Sequence, residues 1–267
     1  MRQISAFLLL SVLLFSACTE DADRTIQTNL PVEASQLLET STVWGESLYF
    51  TLMRAVDYQI LGDKAIPGCP SITVDGSSRQ VILDFSNPVE CELINPVART
   101  GKITITYSLE SGNDASWLVQ FDDYQYGNTK VSGSKTYQQI DALHIQENFE
   151  ALTFETESEL TTKLTGEFYH EIDRVLFRLL SIQSTGTATG TNPAGREVTW
   201  DVTLPRLTNL SCLDSGNYYP QGGKEAWLVS REPNKTVSHS LEYLPKDSCQ
   251  VDIYGVLPDG RKLLLNP

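Results

Sequence analysis

The sequence predicts a mainly β protein: a long antiparallel meander, curved or folded, with an N-terminal amphipathic helical segment packed on it. Three observations carry this. Between residues 31 and 60 apolar side chains recur at gaps of three, four and seven, the spacing of one helix face. After Cys69 the period drops to two, the spacing of a strand with one buried face. Gly, Asn, Asp and Pro punctuate that second part at short intervals, as hairpins require.

The chain begins with Met1-Arg2 and an apolar run from Ile4 to Phe15. That run is shorter than the roughly 20 residues a bilayer core needs, and its pattern is that of a secretory signal. Phe15-Ser16-Ala17-Cys18 resembles a bacterial lipobox, with Phe15 where Leu is usual. The expectation is a signal peptide over 1–17, cleavage before Cys18, and a lipid on the Cys18 thiol. Residues 18–30 read as a flexible acidic tether. Within it Glu20, Asp21 and Asp23 resemble the acidic signal that sends lipoproteins of Bacteroidetes-type bacteria to the cell surface. A merely solvated acidic leash is the alternative.

Residues 31–62 form the helical segment. Leu37, Leu38, Trp44, Leu48, Leu52, Met53 and Val56 make its stripe, with a break expected near Gly45. Such a stripe packs on a core, so the segment is expected to lie as a lid on one face of the sheet, with Leu48, Leu52 and Val56 buried. An independent spacer between membrane and β body is the competing picture.

Residues 63–267 form the β body. "SITVD" (Ser71–Asp75) meets "RQVILDF" (Arg79–Phe85) across Gly-Ser-Ser. "GKITITYSL", "SWLVQFDDYQ", "NTKVSGSKTYQQI", "LHIQENFEALTFETESEL" and "TTKLTGEFYHEI" continue the meander. "DRVLFRLLSIQ" (Asp173–Gln183) fits strand or helix, and its strand neighbours favour strand. Asn192-Pro193-Ala194-Gly195 turns the next hairpin. "KEAWLVSRE", "KTVSHSLEYL", "CQVDIYGVL" and "RKLLL" close the chain, the last two joined by Asp259-Gly260, read as a type I′ turn. An open sheet of a dozen or more strands must twist, curl or split.

With Cys18 committed to lipid, Cys69, Cys91, Cys212 and Cys249 remain. In an exported protein an even set reads as two disulfides, with three possible pairings. An internal echo selects one. "LDFSNPVEC" (Leu83–Cys91) and "LEYLPKDSC" (Leu241–Cys249) share Leu, acid, aromatic, proline and Cys in the same order. Each follows an earlier cysteine, so Cys69 is paired with Cys91 and Cys212 with Cys249, giving two related cystine-closed units.

The formal net charge is −14, and loss of the signal, whose one charged residue is Arg2, makes it more negative. That argues against nucleic acid and against a body pressed onto anionic headgroups. No catalytic, metal or cofactor motif is legible. His144, His170 and His239 lack zinc-protease spacing, and no Gly-x-Ser-x-Gly or phosphate loop occurs. "FETESEL" sets Glu155, Glu157 and Glu159 on one strand face, a cation candidate against which stands a merely solvated acidic face, and Asp122-Asp123 is a second candidate that also reads as a hairpin turn. Trp200, Tyr218, Tyr219, Trp227 and Tyr243 could stack on sugars if exposed, but such residues are more often core.

The chain is similar to a family of Bacteroidetes cell-envelope lipoproteins of unknown function. The resemblance rests on the lipobox, "CPSITVD", "LDF", "RTGKITITYS", "KVSGSKTY", "TGTATGTNPAGREVTWDVTLPRLTNLSC" and "DGRKLLL". It implies an all-β envelope lipoprotein of the outer membrane, with surface exposure expected from the acidic tether, and it carries no catalytic residue. The expected function is a non-enzymatic structural, adhesive or binding module, held to the membrane through Cys18, with a protein or glycan partner unidentified. A carrier of an apolar ligand in a curved-sheet cavity, or a surface glycan binder, are the alternatives.

Overall fold

The computed structural model describes residues 29–90, 97–108, 115–214, 216–232, 235–247 and 249–266. Helix α1 (Leu30–Glu46) opens on Pro31, whose missing N–H costs nothing in a first turn, with Glu33 placed favourably for the helix dipole. Ser47 interrupts it, α2 (Leu48–Thr51) follows, and α3 (Ala55–Leu61) starts where Arg54 and Asp57 bond to each other's turn. Gly62, at φ 72°, ends α3.

Thirteen strands then pair strictly in chain order, every neighbour antiparallel. They are β1 (Ser71–Asp75), β2 (Gln80–Asp84), β3 (Arg99–Tyr107), β4 (Ser116–Tyr126), β5 (Thr129–Gln139), β6 (His144–Thr156), β7 (Thr161–Val175), β8 (Arg178–Thr191), β9 (Glu197–Asn209), β10 (Gly222–Glu232), β11 (Lys235–Pro245), β12 (Val251–Val256) and β13 (Lys262–Leu264). A short helix α4 (Leu210–Asp214) joins β9 to β10. The sheet is not closed.

The sheet curls because its central strands carry bulges. The register slips at Gly101, at Asp123, at Gly133, at Ala151, at Gly186 and at Gly223, and each of these residues has positive φ. Each bulge adds a residue on one strand and sharpens the twist. Two of them admit only glycine: a Cβ at Gly101 would lie 2.1 Å from the Asp123 carbonyl oxygen, and one at Gly186 2.4 Å from that of Glu167.

The curl wraps the helix. From Thr40 to Met53 every residue of the segment is buried, with no solvated face. The lid of the sequence reading is therefore an internal element, touching strands from β3 round to β12. Leu48 and Leu52 are buried as expected. Val56 is not: it is 41% exposed. The break at residues 52–54 redirects the chain before α3, so the phase of the apolar stripe does not carry across it.

Arg99, at the start of β3, ties three distant parts of the chain together. Its guanidinium lies 4.9 Å from the Tyr126 ring and 4.8 Å from the Tyr218 ring, and donates to Glu46 of α1 at 2.7 Å. Such stacking is worth about 2 kcal/mol or more when desolvated.

Cys212 and Cys249 are disulfide-bonded, enclosing the β10–β11 hairpin. Cys69 is also in a disulfide. Its expected partner Cys91 lies outside the described residues, as do Cys18 and the whole of 1–28. The echo has a structural counterpart: Leu83 and Leu241 are fully buried, and Phe85 and Tyr243 nearly so. The intervening acids point outward, Asp84 to Lys102 and Glu242 to Lys224.

Three local expectations are corrected. Asp173–Gln183 is neither one strand nor a helix, but the end of β7, a turn at Leu176 (φ 55°) and the start of β8. The final turn is not type I′. Pro258 fixes a negative φ, Gly260 alone is left-handed at 84°, and its N–H bonds to the Leu257 carbonyl, a type I turn closed by glycine. Glu155 is on β6, but Glu157 and Glu159 follow in the turn after Thr156, so the three acids do not share a strand face.

Candidate binding cleft

The interior is polar in a patterned way. Glu147 on β6 is fully buried and accepts four bonds. Trp44 Nε1 donates at 2.8 Å, Tyr137 OH at 2.8 Å, His170 Nε2 approaches to 3.1 Å and Lys135 Nζ to 3.2 Å. Burial alone would raise the Glu147 carboxyl, but Lys135 and His170 outweigh it and bring the value down to about 2. Burial pushes the Lys135 ammonium down, and Glu147 offsets only part of that.

A second buried acid, Glu225 on β10, accepts from Ser41 at 2.6 Å, Tyr243 at 3.0 Å and Trp227 at 3.1 Å, with Arg206 Nε 3.6 Å away. The Arg206 guanidinium lies against the backbone of Gly45, where a Cβ would come within 1.9 Å of Nη1. Near the helix start, Glu33 is bound by His239 at 2.6 Å and by Arg231.

Ser184, His170 and Glu147 form a hydroxyl–imidazole–carboxylate chain, with Ser184 Oγ 2.9 Å from His170 Nδ1. The residue types are those of nucleophilic catalysis. The site is not: all three are at most 1% exposed, so no reacting carbonyl reaches the hydroxyl. The chain orders the core. Sequence reading missed it, although Phe168, His170 and Ile172, like Ile145, Glu147 and Phe149, alternate in phase along their strands.

Other sequence candidates are scattered. His144 is at an exposed turn with Asp141, and His239 is buried against Glu33. Asp123 sits in a bulge and pairs with Lys130. Trp200, Trp227, Tyr218 and Tyr243 are buried, so they offer no outer face to a sugar.

Among the described residues a hollow of about 810 Å³ lies at the end of the sheet by Val97, Tyr126, Tyr219 and Lys246, and a smaller, more apolar one lies at the opposite end. There the residues joining α2 to α3 cross the ends of β3, β5 and β7 and the starts of β4 and β6, leaving a cleft of about 460 Å³. Trp117 Nε1 donates to the Thr51 carbonyl and Tyr107 OH to the Met53 carbonyl, each at 2.7 Å, which holds this crossing in place. Leu52, Met53, Trp117, Ile145 and Ile172 line the cleft. On one wall Arg54 and Arg174 both pair with the buried Asp57, at 2.9 and 3.0 Å. Next in the chain to the cleft's lining residues are exposed apolar side chains: Val56 on α3, Ile140 and Leu143 beside the β5–β6 turn, and Val175 and Leu176 at the β7–β8 tip, whereas Phe177 lines a separate hollow with Tyr49 and Leu61. Leu176 is 78% exposed, and its carbonyl accepts from Arg54 at 3.0 Å.

No known family, curated protein or solved structure matches the chain.

Proposed function

We propose that this protein is a non-enzymatic binding module of the cell envelope, anchored by lipid at Cys18, that holds its ligand in the cleft beside Leu52–Ala55. The observation that carries this reading is the apolar lining of this cleft beside a pair of arginines; the larger hollow of about 810 Å³ at the opposite end of the sheet, by Val97, Tyr126 and Lys246, is more open to solvent. The concave side of the sheet, where a carrier would store an apolar ligand, is filled by the chain's own helix from Thr40 to Met53. The cleft at the sheet end has an apolar lining, a few polar groups and a volume in the range of small-molecule sites. The outer-membrane location and the affinity with Bacteroidetes-type lipoproteins rest on the lipobox and the acidic tether of the sequence.

The test is a native mass spectrum of protein purified from its own envelope, with Cys18→Ala beside it. Expected are an acyl mass at Cys18, release of Cys18→Ala into the soluble fraction, and a further non-covalent mass that Ala115→Phe, in the cleft wall, no longer retains. Pelleting of Cys18→Ala with membranes would refute the anchor. Equal retention of the ligand by Ala115→Phe would refute the cleft.

A further inference from the structure

We propose that the cleft takes an anionic amphiphile: a carboxylate head on a medium-length alkyl chain. The inference names the ligand class of the binding reading above and rests on it. The head is specified by charge. Arg54 and Arg174 share the single carboxylate of Asp57, which leaves one positive charge in excess on that wall. Asp57 is fully buried, whereas the Arg54 side chain is 50% exposed and that of Arg174 13%. The arginines, not the acid, therefore face an entering molecule, and a guanidinium binds a carboxylate through charge-assisted N–H donors beyond those already given to Asp57 and Leu176.

Across the cleft stands Asp141. Its carboxylate is already occupied by the N–H groups of Leu143 and His144 and by the His144 ring. The tail is specified by the lining: Leu52, Met53, Trp117, Ile145 and Ile172 offer it only carbon and a ring. Exposed aliphatic side chains follow next in the chain, of which Val175 and Leu176 are 58% and 78% exposed. Asp141 keeps its charge, so selection is by position: a carboxylate head gains only against the Arg54–Arg174 wall, where a neutral head finds no charge partner and a cationic one is repelled.

The experiment is calorimetric titration of the mature chain carrying Cys18→Ala, which needs no detergent, with monomeric dodecanoate. Dodecanol, dodecyltrimethylammonium and acetate test tail without charge, tail with the wrong charge, and head without tail. Expected is saturable binding of one dodecanoate per chain, tighter than any of the three by about tenfold or more, the worth of one charged hydrogen-bonded contact. Arg174→Gln should weaken it by a similar factor. Since Arg174 also partners Asp57, Ala115→Phe serves as a second variant that narrows the cleft and keeps every charge. Equal affinity for dodecanol, or undiminished binding in both variants, overturns the proposal. So does binding only to phosphatidylglycerol vesicles, which would make the exposed aliphatic side chains a bilayer contact. If dodecanoate fails while the envelope-purified protein retains another ligand that Ala115→Phe loses, the ligand class is wrong and the binding reading stands.

Discussion

Glu147→Gln tests what the buried charges do. The substitution keeps the volume and removes the charge, and its one amide oxygen serves either Trp44 or the Tyr137–His170 pair while the amide nitrogen faces the other, so a lost hydrogen bond adds to the lost charge. Lys135, fully buried, is then left with the Ser47 hydroxyl at 3.1 Å and the ring of Trp44, 5.4 Å to its centroid. Breaking a buried pair from one side costs about 3–5 kcal/mol. A second route gives the same size. Lys135 escapes the penalty by losing its proton, and taking an ordinary lysine to neutrality at pH 7 costs about 1.4 kcal/mol for each of roughly 3.4 pH units, or about 5 kcal/mol in all. That is a third or more of a typical domain's stability, and a fall in Tm of roughly 6–20 °C for a chain of this size. Guanidinium unfolding at pH 7 reads it as a shift in midpoint at unchanged slope. Adding Lys135→Met should restore most of the loss, because a matched apolar replacement of a buried pair is close to neutral. A single variant within about 1 kcal/mol of wild type, or a double variant no better than the single, would refute the reasoning.

Other expectations follow from the same contacts. Glu147 ionises more readily folded than unfolded, its carboxyl falling from 4.5 to about 2, and Glu33 shifts in the same direction. Stability should therefore be full above pH 4.5 and fall as pH drops toward 2, with a shallower fall in Glu147→Gln; denaturant midpoints across that range check it. Burial raises Tyr58, Tyr124, Tyr137 and Tyr243 well above 10, so unfolding should become easier as pH rises past 10, read by absorbance of the freed phenolates. Gly45→Ala gains about 1 kcal/mol of helix propensity but forces its Cβ on Arg206, and overpacking costs about 1–3 kcal/mol, so thermal melting should show a net loss. Leu48→Ala should cost about 2–5 kcal/mol, and Val56→Ala should stay within roughly ±0.5 kcal/mol.

The meander was legible because strand alternation and turn residues are local signals. Ile103, Ile105 and Val119 could be placed inward from their neighbours alone. The curl was not legible, because it comes from bulges, and a bulge at Ala151 or Asp123 leaves no composition signal. It also breaks the phase: along β6, Ile145, Glu147 and Phe149 face inward on odd positions, and Leu152 and Phe154 on even ones. Read as one strand, that pattern blurs. The buried acids were missed for a related reason. An acid in phase with two apolar neighbours is the signal, but its meaning depends on a cation on another strand, here Lys135. The cleft lay beyond sequence reading altogether, because it joins residues from Leu52 to Arg174 only once the sheet has curled.

The polar interior also bears on the cleft. Round the buried helical segment, Ser41 meets Glu225, Trp44 meets Glu147, Glu46 meets Arg99, Ser47 meets Lys135 and Thr51 meets Tyr137. These partners sit on β10, β6, β3 and β5, spread round the curl. Buried charges add little net stability over a packed apolar core, so stability alone does not account for them. What they discriminate is position. A helix rotated by one residue, or slid by one turn of about 5.4 Å, would leave several of these groups buried without a partner at about 1–3 kcal/mol each. An all-apolar helix in the same groove would lose far less. The network therefore pins the helix in rotation and depth, and the residues it delivers next, Leu52 to Ala55, are the ones that wall the cleft. A wall fixed before binding spares the ligand the cost of ordering it.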